Sequence, residues 1–116
     1  MRIANLLDEI GEQAEITSIR DACSDILTDY PFLVMKKITN DAKWKRAYQE
    51  TIGIAPSVQI LQNRAERAIQ RTEELLRSGT LISCALPTYE LLIPKTRELL
   101  RRLREYKDSI PSYFEL

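Results

Sequence analysis

Two runs of apolar and small residues in the second half of the chain decide its architecture. Val58, Leu61, Ala65, Ala68, Thr72 and Leu75 are spaced three, four, three, four, three, and Tyr89, Leu92, Thr96, Leu99, Leu103 and Tyr106 repeat that spacing. An α-helix turns once in about 3.6 residues, so such spacing lines one face of a helix and no face of a strand. It predicts helices over about Pro56–Ser78 and Thr88–Lys107, each roughly 30 Å long. Gly79 ends the first, and the short linker to Pro87 folds the second back as an antiparallel hairpin. Pro94 lies within the second stripe, and because the stripe continues through it we expect a kink there rather than a helix start.

The first half is predicted to be helical in shorter pieces. Ile3, Leu6, Leu7 and Ile10 predict an amphipathic helix ending near Gly11. Thr17 or Ser18 is expected to cap a second helix with the stripe Ile19, Cys23, Ile26, Leu27 and Tyr30, which Pro31 ends or which gives way there to a new helix. Phe32 to Met35 is an apolar run that periodicity assigns to neither helix nor strand. Thr39-Asn40-Asp41 reads as a break, with Asn40 capping a helix from Ala42 to Ile52 that stops at Gly53. The tail from Asp108 leaves the helical pattern but carries Ile110, Tyr113, Phe114 and Leu116, an apolar end that docks on its own body or on a neighbour. The predicted fold is therefore one all-α domain over residues 1–116. It has five or six helices, with a long C-terminal antiparallel hairpin packed by the shorter N-terminal ones.

Composition removes several chemistries. The 116 residues contain no histidine and two cysteines, Cys23 and Cys84. A Ser-His-Asp or Cys-His nucleophile and any His-bearing metal site are excluded, and no CxxC pair exists for zinc or dithiol chemistry. We expect the cysteines to be buried thiols in a reducing compartment. Acids in the first nine residues and the absence of an apolar run of about 20 residues predict a cytoplasmic chain with no membrane span.

Charge is balanced overall, with 17 basic and 17 acidic residues, yet unevenly placed. Residues 1–30 carry a net −5 and residues 31–71 a net +5. The two segments either neutralise each other within one fold or let an acidic face of one copy meet a basic face of another. Lys43, Trp44, Lys45 and Arg46, extended by Arg64, Arg67 and Arg71, form the pattern of a nucleic-acid platform, with cations for phosphates and a ring for stacking. Trp44, Tyr48 and Ile52 also fall at i, i+4, i+8, and this spacing favours a core face. Arg97, Arg101 and Arg104 make a second basic stripe, whose neighbours Glu98, Arg102 and Glu105 supply helical ion pairs.

Asp8, Glu9, Glu12, Asp21 and Asp25 place five carboxylates on two consecutive helices, as a histidine-free Mg²⁺ site would need. The arrangement is similar to that of the all-helical nucleoside triphosphate pyrophosphohydrolases. Their second helix adds an acidic pair three residues apart, whereas Asp21, Asp25 and Asp29 step by four and share one face, as a solvated acidic stripe does. Ser83 and Cys84, in the apolar linker, have no general base at a recognisable spacing.

The reading that follows is a non-enzymatic interaction or assembly module with no cofactor and no metal. Its expected partner is a protein, a second copy being one candidate. Tyr113, Phe114 and Leu116 are its expected apolar anchors, and Arg97, Arg101 and Arg104 its charged rim. A nucleic-acid-binding or regulatory accessory protein using the basic and aromatic patch is the alternative, and a Mg²⁺-dependent nucleotide pyrophosphohydrolase-like protein the third.

Overall fold

The computed structural model describes residues 2–14, 20–21, 23–77 and 86–114. Five α-helices are described, α1 (Arg2–Ala14), α2 (Ser24–Lys36), α3 (Asp41–Ile52), α4 (Val58–Arg77) and α5 (Leu86–Ser109), followed by a 3-10 turn, η1 (Ile110–Phe114). No strand occurs among the described residues. The apolar run Phe32–Met35 is thus helical, as the last turn of α2.

The two stripes form the seam of the fold. Leu61, Ala65, Ala68 and Thr72 of α4 are buried, as are Leu92, Thr96, Leu99, Leu103 and Tyr106 of α5. Lys107 of α5 donates to Glu66 of α4 at 2.7 Å, and Arg104 donates to Glu73 at 3.3 Å. Rising along α4 therefore means falling along α5, and the pair is antiparallel. Alanines at the seam let the backbones approach, and each buried leucine contributes about 1.5–3 kcal/mol. On another side of α5, α1 also runs antiparallel: Lys95 donates to Glu9 at 2.8 Å, while Ile3 lies beside Arg102 and Tyr106. Ile3, Leu7 and Ile10 are its buried face.

Next to α4 lies α2, and α3 packs on α2. Asn40 caps α3, its side chain accepting from the Lys43 N–H at 2.8 Å, and Gly53 ends it at φ +90°, where a Cβ would be strained. Ser57 caps α4 by accepting from the Ile60 N–H at 3.2 Å. Trp44 and Tyr48 are fully buried. Edge-on ring contacts join Phe32 to Tyr48 at 5.4 Å and Trp44 to Phe114 at 5.6 Å. The last of these ties η1 to α3, while η1 packs on α4 and α5 with Ile110 as its buried residue. The body measures 50 × 21 × 20 Å, with a radius of gyration of 15.6 Å. A compact chain of this length would have about 13 Å.

Three expectations about element boundaries are corrected. Gly11 does not end α1, which continues to Ala14; a glycine within a helix costs only about 1 kcal/mol, less than the burial of Ile10 at that turn returns. The second helix does not run unbroken through Cys23. Cys23 sits in a turn with its N–H on the Arg20 carbonyl at 3.2 Å, and α2 begins at Ser24 without a side-chain cap. Thr17, Ser18 and Ile19 lie outside the described residues, as do Gly79 and the linker with Ser83 and Cys84. Pro31 neither ends nor starts a helix but lies within α2. Buried Ile26 and Leu33, two turns apart on one face, hold the helix together across it. Pro94 likewise lies inside α5, which continues through it.

Cys23 is buried beside the Thr72 hydroxyl, and desolvation pushes its thiol up to about 11. It is a core residue and a poor nucleophile.

Pro31 deprives the Leu27 carbonyl of its helical donor, and its own ring faces outward. Replacing Pro31 with Ala is expected to raise the stability by about 1–2 kcal/mol, most of the interior-proline penalty less the entropy regained by the unfolded chain. Urea unfolding measures this; a lower midpoint would mean that packing around Phe32 needs the proline geometry.

Candidate interaction surface

The strongest electrostatic feature is internal. Asp29 falls three residues after Ile26 and four before Leu33, in phase with the buried face of α2, and it is only 1% exposed. The Tyr48 hydroxyl of α3 donates to its Oδ1 at 3.1 Å, and Arg64 Nε of α4 donates to its Oδ2 at 2.7 Å. Arg64 also reaches Asp25 at 3.4 Å, and Arg67 lies 3.9 Å from Asp25. One carboxylate thus joins three helices. Burial pushes the Asp29 carboxyl above the ordinary aspartate range, against the opposing pull of Arg64 and Tyr48. The Tyr48 hydroxyl is raised too, first by burial and then by the charge of Asp29, so it remains a donor. Asp29 is therefore not part of a solvated acidic stripe. The missed signal was its phase with Ile26 and Leu33.

Of the basic and aromatic residues predicted to meet nucleic acid, the tryptophan is buried and four cations have carboxylate neighbours. Trp44 is 0% exposed, its indole N–H donating to Asp41 at 3.2 Å, so its ring is not open to a base. Lys45 pairs with Asp41 at 2.8 Å, and Arg71 lies 3.7 Å from Glu74. Arg64 is turned inward onto Asp29, and Arg67 leans toward Asp25. Lys43 and Arg46 are exposed and free of carboxylates among the described residues.

Three of the five acids are held in ion pairs. Asp8 pairs with Arg20, Glu9 with Lys95, and Asp25 with Arg64 and Arg67. Asp21 is exposed, and the side chain of Glu12 lies outside the described residues. No group of three possible ligands that could hold a metal ion occurs among the described residues.

On α5, Arg101 bridges Glu98 and Glu105, and Arg104 reaches Glu73, leaving Arg97 exposed without a carboxylate among the described residues. Tyr113 and Phe114, expected as anchors for a partner, are half-buried on the chain's own body. Lys36 Nζ stands 5.2 Å from the Phe114 ring and 5.8 Å from Trp44, and Lys37 Nζ stands 5.3 Å from Tyr113. Those cations stand over the rings, and Leu116 lies outside the described residues.

What remains open is the outer side of α2. Val34 is 40% exposed and Ile38, in the turn that follows, 82%. Pro31, Val34 and Ile38 are spaced three and four, so they form one outward apolar stripe on a helix whose inward side is already buried. Comparison with protein-family models, with curated proteins and with solved structures finds no match to this chain.

Breaking the buried pair tests its role. Replacing Arg64 with Ala is expected to cost about 3 kcal/mol at pH 7, because Asp29 is left charged and unpaired. Without Arg64 the folded-state pKa of Asp29 rises further above its unfolded value of about 4. The variant's deficit should then shrink as the pH falls through that folded value, since a raised pKa gives stability at low pH and removes it at high pH. Unfolding at pH 7 and pH 4 measures this, and adding Asp29→Asn should abolish the pH dependence. An equal deficit at both pH values would contradict the assignment.

Proposed function

We propose that the protein is a non-enzymatic assembly module whose α2 stripe packs against the same stripe of a second copy. The observation that carries this reading is the Pro31–Val34–Ile38 face, apolar and solvent-exposed on a helix that buries its other side. A two-fold axis makes such a stripe complementary to itself. With that axis perpendicular to the helix the two copies run antiparallel, and charge supports that direction. Asp21 is exposed before the N-terminal end of the stripe, whereas Lys37 and Lys43 are exposed at the Ile38 end, and none of the three has an ion pair among the described residues. Antiparallel packing sets the acidic end of one copy beside the basic end of the other, as the unequal charge of the two halves suggests. With so few apolar side chains the pairing is weak and dependent on concentration.

Sedimentation of the full chain over a range of concentrations tests the reading. The mass is expected to rise from 13.4 kDa toward twice that value. Ile38→Glu should hold it at the monomer mass while leaving the unfolding free energy within roughly half a kcal/mol, as for an exposed side chain. A wild-type mass that stays monomeric, or an Ile38→Glu chain that pairs as well as wild type, would overturn the proposal.

A further inference from the structure

The helices are not held alike. Asp29 ties α2, α3 and α4 together through buried polar contacts, and no such lock reaches α1 among the described residues. The main support of α1 is a single helix, α5. Ile3, Leu7 and Ile10 are its buried residues, at i, i+4 and i+7, while Asn5, Asp8 and Glu9 face water. Among the described residues two ion pairs join it to the rest, Glu9 with Lys95 and Asp8 with Arg20, their side chains between 31% and 57% exposed. Exposed pairs of this kind contribute little.

Local sequence adds little to the hold. A helix of 13 residues is marginal on its own, and Gly11 lies inside this one. It has no acid in its first turn and no base in its last, so no side chain offsets the helix dipole at either end. Near Ile3 lie Tyr30, Arg102 and Tyr106, and the buried Tyr106 hydroxyl makes no hydrogen bond among the described residues, so this end gains no polar contact either. The seat of α1 runs along α5 from Lys95 to Arg102, two turns apart on one side of that helix. It selects its occupant by apolar fit and one ionic mark, Lys95.

We propose that α1 is a strap that opens as a unit, and that the side of α5 it uncovers takes an amphipathic helix of a partner in its place. The chemistry of the occupant is that of α1 itself. It presents apolar residues at i, i+4 and i+7, as Ile3, Leu7 and Ile10 do, and a carboxylate one residue before the last of them, as Glu9 does, to meet Lys95. While closed, α1 holds the seat at the high effective concentration of a tethered segment and keeps weaker helices out. This seat does not include the Pro31–Val34–Ile38 stripe, so a chain that fails to pair through α2 still opens at α1.

Hydrogen exchange of the full chain reads the opening. The backbone amides of Leu7 and Ile10 are expected to exchange at least about tenfold faster than those of Ala65 and Ala68 in α4. Equal protection would overturn the proposal. A fluorescently labelled peptide of residues 2–14 reads the seat. It is expected to bind a full-length Leu7→Asp chain at least about tenfold more tightly than the wild-type chain, whose own α1 competes. The same peptide carrying Leu7→Asp should bind neither. The single tryptophan, Trp44 on α3, reports whether the rest of the Leu7→Asp chain stays folded, and its emission should remain that of a buried indole. A peptide that binds neither chain or both alike contradicts the assignment, as does a substituted peptide that binds as well as the original. So does an exposed Trp44 in the Leu7→Asp chain, because a strap can be lifted without unfolding what lies beneath it.

Discussion

The fold turns on one buried carboxylate. Asp29 sits on the inward side of α2 with two partners from two other helices, a phenol from α3 and a guanidinium from α4. Leucines and alanines pack in several registers at similar energy, but a buried charge is tolerated only where its partners converge. A one-residue slide of α2 would turn Asp29 by roughly 100° around the helix and strand it in apolar surroundings. Arg64 has the complementary problem, since it is largely covered and would lose both Asp29 and Asp25. The cluster therefore selects one arrangement of α2, α3 and α4, whatever its net contribution to stability.

Periodicity made the long hairpin legible because every member of each stripe faces the same neighbour. From Leu61 to Thr72 and from Leu92 to Tyr106, the members are buried. Local chemistry made α3 legible, since Asn40 and Gly53 act within a few residues of themselves. The departures are all places where tertiary packing overrides a local signal. Pro31 signals a helix end, but Ile26 and Leu33 straddle it on one buried face. Asp29 signals solvent, but Tyr48 and Arg64 lie 19 and 35 residues away in sequence. Tyr113 and Phe114 signal a partner surface, but Lys36 and Lys37 stand over them from α2 and its C-terminal cap. The unpartnered Tyr106 hydroxyl was legible least of all, because a tyrosine in a helical stripe says nothing about where its oxygen ends.

Charge asymmetry resolves along the same lines. Part of the acidic excess before residue 30 is neutralised within the fold, where Asp25 and Asp29 meet Arg64 and Arg67, and Glu9 meets Lys95. Those pairs draw on Arg64 and Arg67, two of the cations that sequence alone had gathered into a nucleic-acid patch, whereas Lys43 and Arg46 stay exposed. Asp21 at one end of α2 and Lys36 and Lys37 at the other are left over. The proposed contact with a second copy uses Asp21 and Lys37 of this remainder.

The exposed stripe and the buried aspartate have a single cause. In an ordinary surface helix the apolar side faces in and the charged side faces out; α2 buries an acid and presents Val34 and Ile38 to water. Rotating α2 to hide those two side chains would bring Leu33 and Ile26 to the surface and pull Asp29 away from Arg64, a worse exchange on both counts. Relief by rearrangement within one chain is thus blocked, because the lock that sets the orientation of α2 is the same one that leaves its outer face bare. Apolar surface that cannot be turned inward can be removed from water only by another molecule, and a face that matches itself under a two-fold axis is always at hand in a second copy.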